Sequence, residues 1–377
     1  MSIVVVGAGL AGGTAVTELR RLGYDGAITL YGREPHLPYE RPPLSKDVLL
    51  GTKPLDAVFL HDRAWYDEHD VALRLDTAVT SIDRTEHRVV TADGAERYDR
   101  LLLATGATPR RFPEADSAGV PVAYLRTIED SERLEAAFVD GTRVAIVGAG
   151  WIGLEVAAAA RHAGCEVTVY ERSELPLLGV LGPEVARVFA DLHRAHGVDL
   201  RLGTSVTADD LRRADLVVVG IGAEPTIDLA RDAGLAVGNG VLVDEALRTS
   251  DPAILAAGDI ANHLHDRLGR RIRVEHWEDA IEQAKVAART LVGEETTYDR
   301  MPYFFTDQYD LGMEYVGSVG PGGYDRVDIE GDVTVTPDGG VSAFRAFWVA
   351  DGHVVAAMQA NDWDASGVIR ASLGTTR

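Results

Sequence analysis

Two glycine-rich segments of the same kind occur in this chain, Val4–Gly12 and Val144–Gly153, and each begins with a run of apolar residues. Their glycines have the spacing of a dinucleotide-binding turn. The first glycine permits the turn from strand to helix, the second lets backbone approach a pyrophosphate, and the third lets the helix pack on the strand. The phosphates would lie at the helix N-terminus, where unpaired N–H groups favour negative charge. One such motif is a weak indication, but two predict two dinucleotide sites, which is typical of a flavin reduced by a nicotinamide.

The elements that would position these segments alternate between strand and helix. Around the first segment, strands at 3–6 and 28–31 flank a helix over Leu10–Arg21, and the second leads through a helix over Ile152–His162 to a strand at Glu166–Tyr170. Residues 301–377 carry short strands and many glycines, which predict a small mixed α+β domain. The other predicted elements are strands at Val71–Leu75, Val79–Ile82, His87–Val90, Arg100–Ala104, Leu216–Val219, Val241–Asp244 and within Ile254–Asp259, and a helix over Asp279–Leu291.

Composition limits the class of protein. The 377 residues suffice for two or three domains, and no apolar run reaches the ~18–20 residues of a membrane-spanning helix. The N-terminus is predicted to be a strand rather than a signal peptide, so we expect a cytoplasmic protein with no membrane partner. The net charge of −22 argues against a nucleic-acid partner, because phosphate binding needs clustered Lys and Arg.

Cysteine and histidine predict no metal site in this chain. Cys165 is the one cysteine, so the chain can hold neither an intramolecular disulfide nor an iron–sulfur centre of its own. Its place just before a predicted strand favours a role as a small apolar core residue. His193 and His196 share a predicted helix face without carboxylates at ligand spacing, and they are therefore expected on the surface.

Four further segments are more specific than the glycine motifs, namely Leu37–Lys46, Gly150–Glu155, Val274–Trp277 and Asp307–Gly317. With these segments in this order, nearly the whole chain resembles the flavoprotein pyridine-nucleotide reductases, and within them the ferredoxin and rubredoxin reductases of oxygenase systems. The resemblance implies an α/β fold of glutathione-reductase type, with two Rossmann-like dinucleotide-binding domains, the nicotinamide domain inserted in the flavin domain, and a small C-terminal α+β domain. The implied domains are 1–107 and 240–300 for FAD, 108–239 for NAD(P)H, and 301–377 as a C-terminal interface domain.

The resemblance also implies a flavin site. Lys46 is expected beside the isoalloxazine as a catalytic residue, where a cation can stabilise negative charge on the reduced ring; the alternative is a solvated surface lysine. Arg126 matches a flavin or phosphate contact or, alternatively, an interdomain salt bridge. Trp277 matches the position whose backbone contacts the pyrimidine edge of the flavin, and its indole could equally be plain core. The ribose-binding acid of the family falls on Arg33, so the neighbouring Glu34 is the substitute. The implied FAD-binding residues are Gly7, Gly9, Leu10, Ala11, Gly12, Glu34, Arg41, Lys46, Val79, Ala104, Thr105, Gly106, Arg126, Gly258, Asp259, Glu275, His276 and Trp277.

The second implied site is for the nicotinamide dinucleotide. Glu155 matches a catalytic residue near the carboxamide, and Glu171 closes the second strand where an acid accepts hydrogen bonds from the adenosine ribose. A carboxylate there would repel a 2′-phosphate, so NADH is favoured over NADPH, although the adjacent Arg172 could accept that phosphate. The implied NADH-binding residues are Gly148, Gly150, Trp151, Ile152, Gly153, Glu155, Glu171 and Gly222.

The absence of other thiols narrows the reaction. Disulfide reductases of this architecture need a cysteine pair, and the segment Pro43–Lys46 lacks the cysteine of NADH peroxidases. The resemblance therefore implies an FAD-dependent NADH:ferredoxin oxidoreductase, whose partner is a 2Fe–2S or 3Fe–4S ferredoxin feeding a P450 or Rieske oxygenase. The alternatives are a stand-alone NADH oxidase or diaphorase and an apoptosis-inducing-factor-like flavoprotein. Four arginines within Arg267–Arg273 are either the ferredoxin docking surface or ordinary solvated charge.

Overall fold

The computed structural model of the protein describes residues 1–320 and 323–377. The chain divides into two compact units, each assembled from three separate stretches of sequence. The first unit comprises Met1–Arg41, Leu55–Thr108 and Glu224–Arg300, and the second comprises Pro42–Pro54, Pro109–Ala223 and Met301–Arg377.

Short strands make up the sheets of both units. Among the described residues up to 225 they are β1 (Ile3–Val6), β2 (Ile28–Tyr31), β3 (Val71–Arg74), β4 (Ser81–Asp83), β5 (Arg88–Thr91), β6 (Gly94–Arg97), β7 (Arg100–Leu103), β8 (Ala107–Pro109), β9 (Val122–Ala123), β10 (Arg143–Val147), β11 (Glu166–Tyr170), β12 (Asp199–Arg201), β13 (Leu216–Val219) and β14 (Ala223–Pro225). The later strands are β15 (Val237–Gly238), β16 (Gly240–Val243), β17 (Ile254–Ala256), β18 (Ala261–His265), β19 (Arg270–Ile272), β20 (Tyr303–Gln308), β21 (Leu311–Gly317), β22 (Arg326–Gly331), β23 (Phe344–Ala350) and β24 (His353–Ala360).

Helices range from single turns to 18 residues. They are α1 (Leu10–Arg21), α2 (Arg63–Glu68), α3 (Pro113–Asp116), α4 (Ile128–Ala137), α5 (Trp151–His162), α6 (Leu178–Ala195), α7 (Ala208–Leu211), α8 (Asp228–Asp232), α9 (Trp277–Leu291) and α10 (Ser366–Ser372). Short 3₁₀ turns cover Pro42–Ser45, Leu55–Val58, Gly258–Ile260, Asp266–Leu268 and Trp363–Ala365. In the part of the chain that the structure describes, no helix is long and apolar enough to cross a membrane.

The first unit is built on a parallel sheet in the order β17-β7-β1-β2-β3. The four residues of β1 are all buried, as expected for a parallel strand covered on both faces. Because β1, β2, β7 and β17 run in the same direction, the residues that follow them lie at one edge of the sheet. β17 belongs to this sheet although residues 109–223 intervene in the chain, which agrees with the predicted insertion.

The second unit contains another parallel sheet, in the order β12-β11-β10-β13-β9, and helix α5 follows β10 and packs on β11. Its C-terminal part is an antiparallel sheet in the order β20-β21-β24-β23-β22, against which α10 packs. The predicted α/β class, with two parallel sheets and a small C-terminal α+β part, is confirmed.

Some element bounds differ from the sequence-based expectations. The strand expected at Val79–Ile82 is β4, at Ser81–Asp83, and α9 begins at Trp277 rather than at Asp279. Helix α6 has a kink at Gly182, where φ is 71° and a proline follows. The periodicity of such a helix changes at the kink, which makes it hard to predict which of its faces is buried.

Candidate active site

The first glycine segment forms a tight turn between β1 and α1. Gly7 has a φ of 116°, and a Cβ on it would lie 2.1 Å from the carbonyl oxygen of Ala104. A Cβ on Gly12 would lie 1.9 Å from the carbonyl oxygen of Gly7. A Cβ on Gly9, in contrast, would meet nothing within 4 Å. The outer two glycines are therefore required by packing, whereas the middle one faces open space.

The N-terminus of α1 provides hydrogen-bond donors at this open space. Gly9 is the N-cap residue, and no side chain of the described residues caps the helix. Leu10 and Ala11 occupy the first turn and are buried, and no acidic residue lies in that turn. Free N–H groups and the positive end of a 12-residue helix favour an anion. These residues fit the pyrophosphate of FAD.

Other predicted flavin-binding segments follow strands of the same sheet. Ala104 follows β7, and Gly258 follows β17 after one residue. Gly258 has a φ of 78°, its N–H donates to Gln283 Oε1 at 2.9 Å, and a Cβ on it would lie 3.1 Å from that of Ala11. Asp259 is the next residue in the 3₁₀ turn. The Gly258-Asp259 motif therefore lies beside the first glycine turn.

Thr105 and Gly106 continue from Ala104 and are fixed by Thr226. Thr105 Oγ1 donates to the carbonyl oxygen of Thr226 at 2.7 Å, and the Thr226 N–H donates to the carbonyl oxygen of Gly106 at 2.9 Å. Val79 is partly buried and packs against the apolar core of the first unit. Its predicted contact with the cofactor stays a prediction.

Glu34 and Arg41, both predicted flavin contacts, interact directly. Glu34 Oε1 accepts a hydrogen bond from Arg41 Nη2 at 2.7 Å, and Glu34 Oε2 accepts one from the Tyr39 hydroxyl at 2.6 Å. The Arg41 guanidinium lies 4.9 Å from the centroid of the Tyr39 ring. Glu34 is thus fixed by the proline-rich segment, and its carboxylate binds Arg41.

The segment before α9 combines a helix N-terminus with an aromatic side chain. His276 is the N-cap of α9, and Trp277 is its first residue. The Trp277 indole packs against the core of the first unit and donates from Nε1 to Glu40 Oε1 at 3.2 Å. Glu275 pairs with Arg273. The partly buried indole thus packs on the core, and the predicted contact of the Trp277 backbone with the flavin edge stays a prediction.

The second glycine segment repeats the construction of the first. Gly148 has a φ of 100°, and a Cβ on it would lie 2.5 Å from the carbonyl oxygen of Gly220, which follows β13. A Cβ on Gly153 would lie 2.1 Å from the carbonyl oxygen of Gly148, whereas one on Gly150 would have its nearest neighbour at 3.8 Å. Gly150 is the N-cap of α5, which no described side chain caps. Ile152 is exposed beside this turn. These residues fit a second pyrophosphate.

Glu171 lies beside this second turn. It follows β11, and its Oε2 accepts a hydrogen bond from the Ala149 N–H at 2.8 Å, while its Oε1 accepts one from the Ser173 N–H at 2.8 Å. The neighbouring Arg172 is exposed. A carboxylate held at the end of the second strand of such a unit can accept hydrogen bonds from ribose hydroxyls. The geometry thus agrees with the position predicted for Glu171, whereas its role in NADH preference stays a prediction.

Glu155 and Lys46 form a buried ion pair in the second unit. Lys46 Nζ lies 2.8 Å from Glu155 Oε1, and the two side chains are 10% and 4% exposed. The Lys46 ammonium is also 5.3 Å from the centroid of the Phe305 ring. Lys46 is therefore not the solvated surface lysine of the alternative interpretation, and the two predicted catalytic residues contact each other.

The packing of α5 on β20 explains how Glu155 is held. Trp151 and Glu155 are one helical turn apart on the same face of α5, and Phe304 and Thr306 are two residues apart on the same face of β20. These two spacings are about equal, so each residue of the α5 pair contacts one residue of the β20 pair. The Trp151 and Phe304 ring centroids are 4.8 Å apart, and Thr306 Oγ1 donates to Glu155 Oε1 at 2.5 Å. Ser45 Oγ donates to Glu155 Oε2 at 2.5 Å.

Ser45, Thr306 and Gln308 were not predicted as site residues. Thr306 and Gln308 are buried polar residues two positions apart, and Gln308 Nε2 donates to Thr306 Oγ1 at 3.1 Å. The alternation of side chains along a strand could have identified Thr306 and Gln308, because it places both on the same face as Phe304.

Gly222 and Arg126 lie in connecting segments of the second unit. Gly222 has a φ of 96°, and its carbonyl oxygen accepts a hydrogen bond from the Arg110 N–H at 2.9 Å. Arg126 immediately precedes Thr127, the N-cap of α4, and its N–H donates to Asp130 Oδ2 at 3.0 Å. Their cofactor contacts stay predictions.

The prediction that His193 lies on the surface is wrong. It is fully buried, and its Nε2 is 2.9 Å from Gln308 Oε1. Burial lowers its pKa to about 4. Cys165 is fully buried as expected, and burial raises the pKa of its thiol, so it does not resemble a reactive thiolate. The described residues contain no group of three or more His, Cys, Asp or Glu arranged to hold a metal ion.

Half of the predicted arginine docking surface has a structural role in the first unit. Arg271 Nη1 donates to the carbonyl oxygens of Val243 and Asn262 at 2.7 and 2.8 Å. Arg273 donates to the carbonyl oxygen of Asp259 at 3.0 Å. Arg267 is exposed, and it keeps the docking role as a prediction.

Comparison with known proteins identifies the family. Residues 1–289 match the model of the pyridine nucleotide-disulphide oxidoreductases. The chain is 41% identical over 375 residues to the ferredoxin–NAD(+) reductase component of the anthranilate 1,2-dioxygenase system of Burkholderia cepacia, covering 95% of this chain and 90% of that protein. The crystal structure of the covalent putidaredoxin reductase–putidaredoxin complex matches with a TM-score of 0.91 at 35% identity, over 100% of this chain and 94% of the other.

A third comparison agrees. The crystal structure of the ferredoxin reductase for the CYP199A2 system from Rhodopseudomonas palustris matches with a TM-score of 0.90 at 34% identity, over 100% of this chain and 96% of the other. The predicted resemblance is confirmed, and this chain belongs to the pyridine nucleotide-disulphide oxidoreductase family, among its ferredoxin reductases.

Proposed function

We propose that this protein is an FAD-dependent NADH:ferredoxin oxidoreductase that supplies electrons to an oxygenase. The observation that carries the proposal is the pair of glycine turns of identical construction, each with an open middle glycine at an uncapped helix N-terminus. Two such turns bind two dinucleotides. In a family of oxidoreductases, these are the flavin and its nicotinamide reductant.

The first unit holds FAD in this proposal. The N–H groups at Gly9 and in the first turn of α1 bind the pyrophosphate, Asp259 binds the ribityl chain, and the N-terminus of α9 at Trp277 faces the pyrimidine edge of the flavin. Gly7 and Gly12 have no direct contact to make, because their role is to let β1, α1 and Ala104 approach each other.

The second unit holds NADH. Gly150 and the first turn of α5 bind its pyrophosphate, and Glu171 accepts hydrogen bonds from the adenosine ribose. Glu155 would bind the carboxamide, and Lys46 would have the flavin role that the family resemblance gives it. A fixed ammonium there stabilises negative charge that develops on the ring without needing to reorganise. When bound, FAD supplies a ring that takes up an electron pair as hydride from NADH and gives up electrons one at a time to an iron–sulfur carrier.

The acceptor is a separate ferredoxin, and the oxygenase it serves is of the P450 or Rieske type. Support comes from the relatives, which are named as reductase components of a dioxygenase system and of a CYP199A2 system. Cys165 is the one cysteine in the sequence and is buried, so a thiol relay within this chain is not available. We further propose the four-segment domain assignment given above and a cytoplasmic location, where NADH is the reductant at hand.

The cofactor assignment is tested on the purified protein. We expect a yellow protein with one FAD per chain and no iron, which NADH bleaches faster than NADPH at equal concentration. FMN in place of FAD, bound iron, or a colourless protein that FAD cannot reconstitute would refute the proposal. Oxygen consumption that equals NADH consumption, unchanged by added ferredoxin, would favour the oxidase alternative.

A further inference from the structure

A buried chain of hydrogen bonds runs from His193 to Glu155 within the second unit. His193 Nε2 contacts Gln308 Oε1 at 2.9 Å, Gln308 Nε2 donates to Thr306 Oγ1 at 3.1 Å, and Thr306 Oγ1 donates to Glu155 Oε1 at 2.5 Å. His193, Thr306 and Gln308 are at most 1% exposed. Burying three polar side chains is costly unless each is hydrogen-bonded. Here each of the three side chains takes part in the hydrogen-bond chain that ends at Glu155.

The direction of each hydrogen bond follows from the chemistry of the groups. Glu155 accepts from Thr306, and because a threonine hydroxyl has one proton, Thr306 can only accept from Gln308. The Gln308 amide must therefore present its NH₂ to Thr306 and its oxygen to His193. His193 then has to donate, which requires a proton on Nε2. Its Nδ1 has no hydrogen-bond partner among the described residues, which is consistent with an unprotonated nitrogen.

The opposite orientation of the amide would break the chain. With its oxygen toward Thr306, Gln308 would attract the Thr306 proton and Glu155 would lose a donor. His193 in the Nε2–H form prevents this rotation, because two donors would then face each other. The imidazole thus selects the amide orientation that keeps the threonine proton on the carboxylate.

The chain ends at the atom that also binds Lys46. Glu155 Oε1 accepts from Thr306 and contacts Lys46 Nζ at 2.8 Å, while Glu155 Oε2 accepts from Ser45. Both oxygens are therefore fixed by donors on two other segments, and the carboxylate cannot rotate without losing one of them.

We propose that Thr306, Gln308 and His193 are positioning residues that fix the Glu155 carboxylate and, through it, the Lys46 ammonium for reduction of the flavin by NADH. This inference rests on the proposed function, because it assumes that Glu155 and Lys46 contact the bound nicotinamide and flavin. It predicts that removing the Thr306 hydroxyl slows the reaction without weakening the binding of NADH to a comparable degree.

The test uses Thr306→Val, the rescue variant Thr306→Ser, and Thr290→Val as a matched control. Thr290 is a buried threonine of α9 whose Oγ1 donates to the carbonyl oxygen of Ala246 at 2.9 Å, outside this chain of hydrogen bonds. Anaerobic stopped-flow mixing of FAD-loaded protein with NADH separates the limiting rate constant of flavin reduction from the dissociation constant of NADH. Thermal unfolding of each variant measures the structural cost of the substitution.

We expect Thr306→Val to lower the limiting rate constant about tenfold or more, the scale of losing a hydrogen bond to a charged group. Thr306→Ser should restore it to within about threefold of wild type, because the donor returns. Thr290→Val should unfold at a similarly reduced temperature with an unchanged rate constant. A wild-type rate constant in Thr306→Val, no rescue by serine, or an equal loss of rate in Thr290→Val would overturn the inference.

A second measurement needs neither a variant nor a cofactor. In long-range ¹H–¹⁵N spectra of the wild-type apoprotein at pH 7, the His193 ring should show a protonated Nε2 and an unprotonated Nδ1. An Nδ1–H tautomer or a doubly protonated ring would overturn the inference. If the wild-type protein binds no FAD or is not reduced by NADH, the proposed function fails and this inference with it. If wild type is reduced and Thr306→Val is reduced equally fast, only this inference fails.

Discussion

Lys46 and Glu155 form a buried ion pair that joins the proline-rich segment to the helix of the second glycine turn, with 2.8 Å between Nζ and Oε1. Neither partner has much access to water, so each charge depends on the other for compensation, and the Glu155 carboxylate also accepts hydrogen bonds from the Ser45 and Thr306 hydroxyls. Because both residues match positions expected beside the reacting rings, we expect this pair to affect stability and, in the proposed function, activity as well.

Replacing Lys46 by Met should destabilise the protein by about 3–5 kcal/mol, because it leaves the Glu155 charge buried without its partner. Urea unfolding of the apoprotein measures this cost. Lys285→Met is the control, since Lys285 is 42% exposed and pairs with Glu282 on the same helix, where a loss below about 1 kcal/mol is expected. Equal stability of the two variants would contradict the buried pair.

The two kinds of glycine in the first turn should respond differently to alanine. Gly9→Ala should leave the apoprotein folded with a loss of about 1 kcal/mol or less, as for a change of N-cap residue, yet weaken FAD binding because the methyl group enters the open space. Gly12→Ala should destabilise the apoprotein itself, since its Cβ would lie 1.9 Å from the Gly7 carbonyl oxygen. Thermal unfolding without FAD and fluorescence titration with FAD separate the two effects. FAD affinity unchanged in Gly9→Ala would show that the phosphates bind elsewhere.

Glu171 should set the preference for NADH. Glu171→Ala should cost about 1–3 kcal/mol of NADH affinity, the scale of losing hydrogen bonds to a charged partner. It should also reduce the ratio of kcat/KM for NADH to kcat/KM for NADPH. Steady-state kinetics with both nucleotides measure this. If the wild-type protein prefers NADPH, the site belongs to Arg172 instead.

The two glycine turns, which belong to local motifs, could be predicted from the sequence. The helix over Leu10–Arg21 has the predicted bounds, because a glycine turn between apolar strands leaves few alternatives. The contact between Lys46 and Glu155 could not be predicted in the same way. Each residue was expected near the cofactors, but the ion pair depends on how the proline-rich segment, α5 and β20 pack together, and no local pattern describes that packing.

His193 shows why a helix face is difficult to assign from sequence. A histidine among Arg194, His196 and Asp191 resembles part of a solvated face, and no local signal indicates the buried Gln308 that faces it. That partner lies in the C-terminal sheet, so only the tertiary structure brings the two together. The arginines at 271 and 273 illustrate the same difficulty, because their backbone partners are distant in sequence.

Acid should destabilise the protein through a second buried histidine. Both ring nitrogens of His263 are buried without a hydrogen-bond partner among the described residues, and burial, aided by His265 and Arg271, lowers its pKa from 6.5 to about 4. The Tyr298 ring also packs against the His263 ring, with 5.0 Å between the ring centroids. Between these two pH values the unfolded state binds more protons than the folded state, so stability falls as pH decreases from about 6.5 to about 4.

In His263→Leu, the unfolding free energy should therefore change less with pH in this range, and the total change across the range should be smaller by up to about 3 kcal/mol. Denaturant unfolding at several pH values measures the slope. His353→Leu, at an exposed position of β24, should leave the slope unchanged. His193 contributes a slope of the same sign, since burial also lowers its pKa to about 4, so the His263 variant should retain part of the dependence. An unchanged slope in His263→Leu would contradict this account.

Docking of ferredoxin should depend on the exposed part of the arginine run. Replacing the exposed Arg267 by Glu should raise the apparent KM for ferredoxin and flatten its dependence on salt, because rim charges mainly steer the encounter. Ferricyanide reduction should be unchanged, since a small acceptor needs no docking surface. Arg271→Ala should instead reduce stability, because its hydrogen bonds to Val243 and Asn262 are lost. A loss of ferricyanide activity with unaffected ferredoxin turnover would place the docking surface elsewhere.

The central claim is that NADH reduces a bound flavin which then passes single electrons to a ferredoxin. It is tested most directly by anaerobic stopped-flow spectroscopy, in which NADH-reduced protein is mixed with an oxidised 2Fe–2S ferredoxin. We expect the flavin absorbance to return at a rate that rises with ferredoxin concentration, with two ferredoxins reduced for each NADH consumed. A reduced flavin that ferredoxin does not reoxidise, but that is reoxidised rapidly when oxygen is admitted, would contradict electron transfer to ferredoxin.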